Sequence, residues 1–179
     1  MITVIVAASE DDSAFFSEFS SMLSRHFSAV RIHRQQLEAA CESPELILCD
    51  LGSFQSVDAD KVIVVCKSLK SLNVELKGAA AVAVVDSSDE HLLAQVSHTR
   101  LPAITCGLKS KDTITLSSIG ADSAVVDLRR SISCMSGNKV EPAEFPLRTQ
   151  RPIDSFMLMS VVSVLILAGK MESLKEGFI

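Results

Sequence analysis

The sequence has neither tryptophan nor tyrosine, so its aromatic content is limited to eight phenylalanines. Few flat side chains remain on which single-stranded bases could stack. A basic cluster is also lacking, and a formal net charge of -5 with a pI near 5.3 gives no general attraction to phosphate backbones. We therefore expect no nucleic-acid partner.

The five cysteines include no Cys-x-x-Cys pair that would indicate a zinc or redox site. Their odd number and irregular spacing favour a reducing compartment, and hence a cytoplasmic location. Three of them, Cys49, Cys66 and Cys106, stand inside apolar runs, which is typical of small buried thiols. No metal, cofactor or catalytic cysteine is expected.

Neither a signal peptide nor a membrane-spanning helix is expected. The chain opens on the apolar run 2–6 with no basic segment before it, which predicts a strand. The longest apolar run, 156–169, is shorter than the ~20 residues of a spanning helix and contains two serines. Being apolar on nearly every face, this predicted helix must be enclosed by the sheet and another element or buried in a self-association interface. A homodimer or protein partner is therefore one expectation, and a membrane is not.

Short β-type runs alternate with helical patterns through the first two thirds of the chain, which predicts a mostly parallel, Rossmann-like sheet flanked by helices. Strands are expected at 2–7, 30–33, 46–49, 62–66, 80–85 and 103–106. Helices are expected over 15–27, 35–41 and 89–96, the last capped by Ser87 or Ser88. The fold class is α/β, and the length fits a single domain.

After Gly107 the pattern changes to β-type stretches at 113–118, 124–133 and 140–147, separated by turn signals such as Gly137-Asn138. This section is expected to be antiparallel. Asp154 or Ser155 then caps the buried C-terminal helix. The single domain thus divides into an alternating part, 1–107, and a β-rich part with the helix, 108–179.

A particular order of features runs through residues 81–169. An apolar strand ends in Asp86-Ser87-Ser88-Asp89, a helix follows, a second strand ends in Ile104-Thr105-Cys106-Gly107-Leu108, and Phe145-Pro146-Leu147 precedes the apolar helix. This order resembles the end of the central domain of the Mur ligases, the ATP-dependent amino-acid-adding enzymes of peptidoglycan synthesis. Parts of it are also similar to an uncharacterised bacterial family, a similarity that implies no function.

The resemblance implies a nucleotide-enzyme scaffold whose ligand lies at the ends of the strands, where open α/β sheets form their crevice. The candidate ligand-binding residues there are Asp86, Ser87, Ser88, Gly107 and Lys109.

The ATP machinery of that family has no counterpart. No Gly-x-x-x-x-Gly-Lys-Ser/Thr segment exists, and the residues after the first strand, 7–12, contain three carboxylates and no glycine. Arg151, Pro152 and Ser155 stand where the family has histidine and asparagines. We therefore expect a non-catalytic domain, without ligase activity, that binds a partner or a small ligand.

A different reading is a receiver-like phosphoacceptor domain. An acidic cluster after the first strand would hold Mg²⁺ through oxygen ligands, an aspartate closing a later strand would attack phosphorus, and a serine and a lysine would contact the phosphoryl oxygens. The candidates are Glu10, Asp11, Asp12, Asp50, Ser87 and Lys109. Capping of helices by the same carboxylates is the competing explanation.

One further pair stands in a β-type stretch. Alternation places Asp127 and Arg129 on one strand face, where an exposed ion pair is expected and anion binding is the alternative.

Overall fold

A computed structural model describes residues 1–8, 12–34, 36–39, 41–50, 56–67, 75–77, 80–149, 152–175, 177 and 179. The fold is α/β, with a mostly parallel sheet, an antiparallel section and a C-terminal helix. The chain divides into two compact units, Met1–Ala103 and Ile104–Ile179. This division falls close to the predicted change of pattern at Gly107.

The first unit contains eight described strands and two helices. They are β1 (Ile2–Ala7), α1 (Ser13–Leu23), β2 (Ala29–His33), β3 (Gln36–Ala39), β4 (Leu46–Asp50), β5 (Ser56–Asp58), β6 (Lys61–Cys66), β7 (Glu75–Lys77), β8 (Ala80–Asp86) and α2 (Glu90–Thr99). Its main sheet has the order β8-β6-β1-β4-β2-β3, and every pairing is parallel except that of β3 with β2. β5 and β7 form a separate parallel pair.

The central strands are buried because their sequences are almost entirely apolar and β-branched, as sheets covered on both faces require. Val62 through Cys66 of β6 have no exposed surface, and neither do Ala83, Val84 and Val85 of β8. One face of β1, β4, β6 and β8 joins Leu92 and Val96 of α2 in a continuous apolar cluster. The predicted parallel sheet is confirmed.

The helix predicted over 35–41 is wrong. Gln36–Ala39 is an antiparallel strand, paired with β2 from His33↔Gln36 to Val30↔Ala39. Arg34, directly after β2, has a positive φ of 48°, the left-handed conformation that tight hairpin turns use. Strand pairing with β2 therefore overrides the helix propensity of the Gln-Leu-Glu-Ala sequence.

The described part of the second unit has six strands and two helices. They are β9 (Ala103–Cys106), β10 (Ile114–Ile119), β11 (Ser123–Leu128), β12 (Ile132–Ser133), β13 (Lys139–Val140), β14 (Ala143–Arg148), α3 (Ser155–Leu167) and α4 (Met171–Lys175). β11 is antiparallel to both β10 and β14, with a bulge in β10 between Leu116 and Ser118, which confirms the antiparallel section. The predicted continuous strand 124–133 is wrong, since it divides into β11 and β12, and Arg129 between them hydrogen-bonds Thr113 instead.

Helix α3 is buried on every side, from Phe156 to Leu167, within a single chain. It packs on β10 and α4. Of the two expectations for this helix, enclosure by the sheet and another element is therefore the one observed, and a homodimer stays a prediction. Asp154 caps its start by accepting from the Met157 amide at 2.9 Å, as expected. At its end the carbonyl of Ile166 accepts from the Cys134 thiol at 3.1 Å, and that of Leu167 from the Met135 amide at 2.8 Å. The β12–β13 hairpin thus satisfies the last carbonyls of the helix.

No helix among the described residues combines the length and the apolar character needed to cross a membrane.

Candidate functional site

The carboxyl ends of the parallel strands meet along one edge of the first unit's sheet, which we call the carboxyl rim. Across it the strands follow the order β2, β4, β1, β6 and β8. Asp50 lies beside Val6 of β1, and Cys66 lies between Ala7 of β1 and Val85 of β8. Asp50 therefore lies on this edge, and Lys67 and Asp86, which follow Cys66 and Val85 directly, lie on it as well.

The chain leaves β1 and β6 in opposite directions. From β1 it passes through α1 to β2 on one side of the sheet, and from β6 it proceeds to β8 on the other side. Adjacent strands with diverging connections open a crevice at their carboxyl ends, which is where open α/β sheets usually bind ligands. The space between the ends of β1 and β6 is such a switch point.

Lys67 occupies this switch point. Its amide donates to the carbonyl of Ala7 at 3.0 Å, which extends the pairing of β6 with β1 by one residue. Its Nζ lies 3.3 Å from Oδ2 of Asp12 and 4.6 Å from the centre of the Phe15 ring. The Lys67 and Asp12 side chains are 25% and 29% exposed, so this ion pair is mostly shielded from water.

Asp12 stands at the N-cap position of α1, yet its carboxylate makes no hydrogen bond to the helix amides. It pairs with Lys67 instead. The carboxylate of Asp12 therefore does not serve as a helix cap, which was one explanation for an acidic residue at this position. Lys67 was not among the residues predicted from the sequence. Its position directly after a buried strand could have indicated it, just as Asp50 and Asp86 were indicated by their positions at the last residue of a strand.

Asp50 is engaged on the β2 side of the carboxyl rim. Its Oδ2 lies 2.5 Å from Nδ1 of His33 and 3.2 Å from the amide of Arg34. The His33 ring is stacked on Phe16, with centroids 4.8 Å apart. The Arg34 amide therefore occupies one acceptor position of Asp50 Oδ2, and the His33 ring lies against the same oxygen.

The turn after β8 is held by Asp86, whose Oδ1 accepts from the amide of Ser88 at 2.8 Å and from its hydroxyl at 2.7 Å. Ser87 is buried, with 3% of its surface exposed. The cap of α2 is Asp89, which accepts from the Leu92 amide at 2.9 Å. The prediction of Ser87 or Ser88 as the cap is wrong, because the carboxylate one residue later reaches the helix amides.

Gly107 and Lys109 lie in the second unit, in the turn between β9 and β10. The Gly107 amide donates to Ile114 at 3.1 Å. Asp112, 3% exposed, accepts from the Lys109 amide at 2.7 Å and donates its own amide to the Lys109 carbonyl at 3.1 Å. The structure thus brings Asp86, Ser87 and Ser88 together in one turn, and Gly107 and Lys109 in another. That all five bind one ligand stays a prediction.

The phosphoacceptor residues are distributed differently. Glu10 and Asp11 lie outside the described residues. Asp50 ends β4 and Ser87 follows β8, and these strands are three spacings apart, about 14 Å at the usual separation of ~4.8 Å. The structure does not bring Ser87 next to Asp50.

The cysteines form no disulfide, and four of them are buried. Burial raises the pKa of the Cys66 thiol to about 12, and burial with the neighbouring Asp50 charge raises the pKa of the Cys49 thiol to about 12. Both stay protonated near neutral pH, which fits the expectation of unreactive thiols.

The Asp127–Arg129 pair is present, with Nε 3.3 Å from Oδ2 and both side chains partly exposed. The ion pair is therefore present as expected, but Arg129 lies just beyond the end of β11, so the two residues do not share a strand face. Among the described residues no group of three or more histidine, cysteine or acidic side chains could hold a metal ion.

No family model matches this chain, and no curated protein matches it in sequence.

Proposed function

We propose that this chain is a Mur-ligase-like α/β domain that has lost ATP-dependent ligation and binds a small ligand or a protein partner at its carboxyl rim. The observation that carries the proposal is the Lys67–Asp12 ion pair at the switch point. ATP-dependent enzymes of this kind surround the phosphates there with backbone amides and a free lysine. Here the lysine is held by a carboxylate and an aromatic ring.

The charge along the carboxyl rim supports the same conclusion. Among the described residues of the rim, Asp12, Asp50 and Asp86 provide three carboxylates, against one ammonium, that of Lys67. A polyphosphate would meet repulsion from these groups, in a partly shielded site where charges interact more strongly than in water. Three carboxylates along one edge favour N–H donors or a positive charge, so the rim suits a ligand that carries them.

The experiment that tests the loss of ATP chemistry is titration calorimetry of the purified chain with MgATP. We expect no saturable binding at millimolar nucleotide and no amino-acid-dependent release of ADP. Saturable binding in the micromolar range, or ligase turnover, would overturn the proposal.

A thermal-shift screen of small amines, amino acids and cationic peptides tests the binding half. A true rim ligand should raise the melting temperature of the wild type, as expected for binding to the folded state. A cationic ligand should lose this effect in Asp12→Asn and keep or increase it in Lys67→Met, which removes the ammonium that competes for the same carboxylate. Lys61→Met is the matched control, since Lys61 begins the same strand at its opposite end. A ligand whose effect is equal in all three variants does not bind at the rim, and an empty screen would contradict a small-ligand role.

One observation favours the phosphoacceptor alternative: Asp50 ends its strand directly beside β1, the strand that leads to Asp12. That function predicts Mg²⁺-dependent gain of one phosphoryl group from acetyl phosphate, detected by intact-mass spectrometry and abolished in Asp50→Asn. Absence of labelling in the wild type would dismiss it.

A further inference from the structure

A second, separate surface lies on the outer side of the first unit's sheet. β3 is its last described strand, and no described strand pairs with its outer edge. All four of its residues are exposed, including Leu37 at 66%. Proteins usually guard such an edge with lysine, proline or a bulge, and β3 has none of these, its only charge being Glu38.

A cleft of about 140 Å³ opens beside this edge, between α1 and the β2–β3 hairpin. Its lining combines one aromatic ring with polar and charged groups: Phe16, Ser17, Ser20, Arg31, His33, Gln36 and Glu38. Pockets for cofactors and drug-sized molecules are usually about 300 Å³ or larger. This cleft therefore has room for one side chain and not for an organic cofactor.

The charges of the cleft indicate which side chain it would accept. Nη2 of Arg31 lies 3.0 Å from Oε2 of Glu38, and these side chains are 40% and 65% exposed. Glu38 can turn into solvent at small cost because it is the more exposed partner. Arg31 could then pair with an incoming carboxylate, close to the His33 ring that Phe16 and Asp50 hold in place.

We propose that β3 is a docking edge for an extended peptide segment of a protein partner, which adds a strand to the sheet and inserts an acidic side chain into the cleft. Main-chain hydrogen bonds along β3 would supply the affinity, and the cleft would supply the preference for an acidic residue. Alternate residues of the added strand would cover Leu37 on the opposite face. This proposal does not depend on the ligase resemblance or on the carboxyl rim.

The test is selection of displayed random nonapeptides on the full-length chain, followed by affinity measurement of the enriched peptides. We expect sequences that alternate β-branched residues and share one acidic position. Replacing that acidic residue with its amide, or making Arg31→Gln in the chain, should weaken binding about tenfold or more. Leu37→Lys, which adds an edge-guarding charge, should abolish binding.

Two substitutions serve as controls. Leu108→Lys changes a residue of the second unit that is equally apolar and 72% exposed, and Arg25→Gln removes an exposed charge outside the cleft. Both should leave the affinity unchanged. In an isotopically labelled chain, amides of residues 36–39 should shift most on binding.

The proposal is overturned if no peptide is enriched, if Leu37→Lys and Leu108→Lys act alike, or if the amide peptide binds as tightly as the acidic one. Sedimentation that shows a dimer lost in Leu37→Lys would assign the edge to a second copy of the chain and also overturn it.

Discussion

The ion pair between Lys67 and Asp12 can be measured by a double-mutant cycle of Lys67→Met and Asp12→Asn. At 3.3 Å and an effective dielectric constant of about 20, the Coulomb attraction is roughly 5 kcal/mol before desolvation and side-chain ordering are subtracted. Exposed pairs retain about 0–1 kcal/mol after these costs. Because these side chains are mostly shielded, we expect a coupling near the upper end, about 1 kcal/mol.

The two substitutions suit the cycle for structural reasons. Asp12 makes no capping hydrogen bond, so asparagine removes a charge without removing a cap. Methionine has an apolar stem like that of Lys67, and its thioether sulfur can contact the Phe15 ring in place of the ammonium. Each single variant should therefore lose the ion pair and little else.

The assay is equilibrium urea unfolding of the four proteins, followed by far-ultraviolet circular dichroism because the chain has no tryptophan or tyrosine. In 1 M salt the screening length falls to ~3 Å, so the coupling should shrink by about half. A coupling below roughly 0.3 kcal/mol would mean that Lys67 is effectively free. Lys67 could then bind a phosphate at the switch point, contrary to the proposed loss of ATP chemistry.

Three further outcomes follow from the described contacts. Native protein at pH 8 should react with iodoacetamide at Cys41 far faster than at the buried Cys66. The unfolding free energy should also fall as pH rises from 9 to 12, by up to about 1.4 kcal/mol per pH unit for Cys66 alone, because the folded-state pKa of this thiol is raised from 9.0 to about 12. Cys66→Ala should show a smaller fall with pH than the wild type, and an equal fall in the two proteins would contradict this cause. Asp154→Ala should cost about 1 kcal/mol in urea unfolding by removing the cap of α3, whereas Asp154→Asn should cost much less. Gly137→Ala should lower the melting temperature because its φ of +89° is strained for alanine, although nothing lies near the added methyl group; an unchanged melting temperature would contradict this account.

Local sequence signals were sufficient for most elements of the first unit. Long apolar β-branched runs predict buried parallel strands because both of their faces must be covered, and β1, β4, β6 and β8 lie where those runs are. β3 was missed for an equally local reason: its turn begins at Arg34, which adopts a positive φ without the Asn-Gly or Asp-Gly signal that marks such hairpins.

The order of the strands in the sheet could not be predicted from the sequence. β4 lies between β1 and β2, and no periodicity along the chain encodes which strands become neighbours. The Lys67–Asp12 and His33–Asp50 contacts depend on that order, since each joins residues far apart in sequence. Candidate residues at strand ends could therefore be named in advance, but their partners could not.

The enclosure of α3 has a consequence for biosynthesis. The helix follows every strand of the second unit in the chain, and it supplies twelve consecutive buried residues to that unit. Until the ribosome has released residue 167, β10, β11 and β14 can form only with their inward apolar faces open to water, a state prone to aggregation. Released chains truncated before residue 155 should therefore depend on chaperones, whereas released chains that include residue 167 should not.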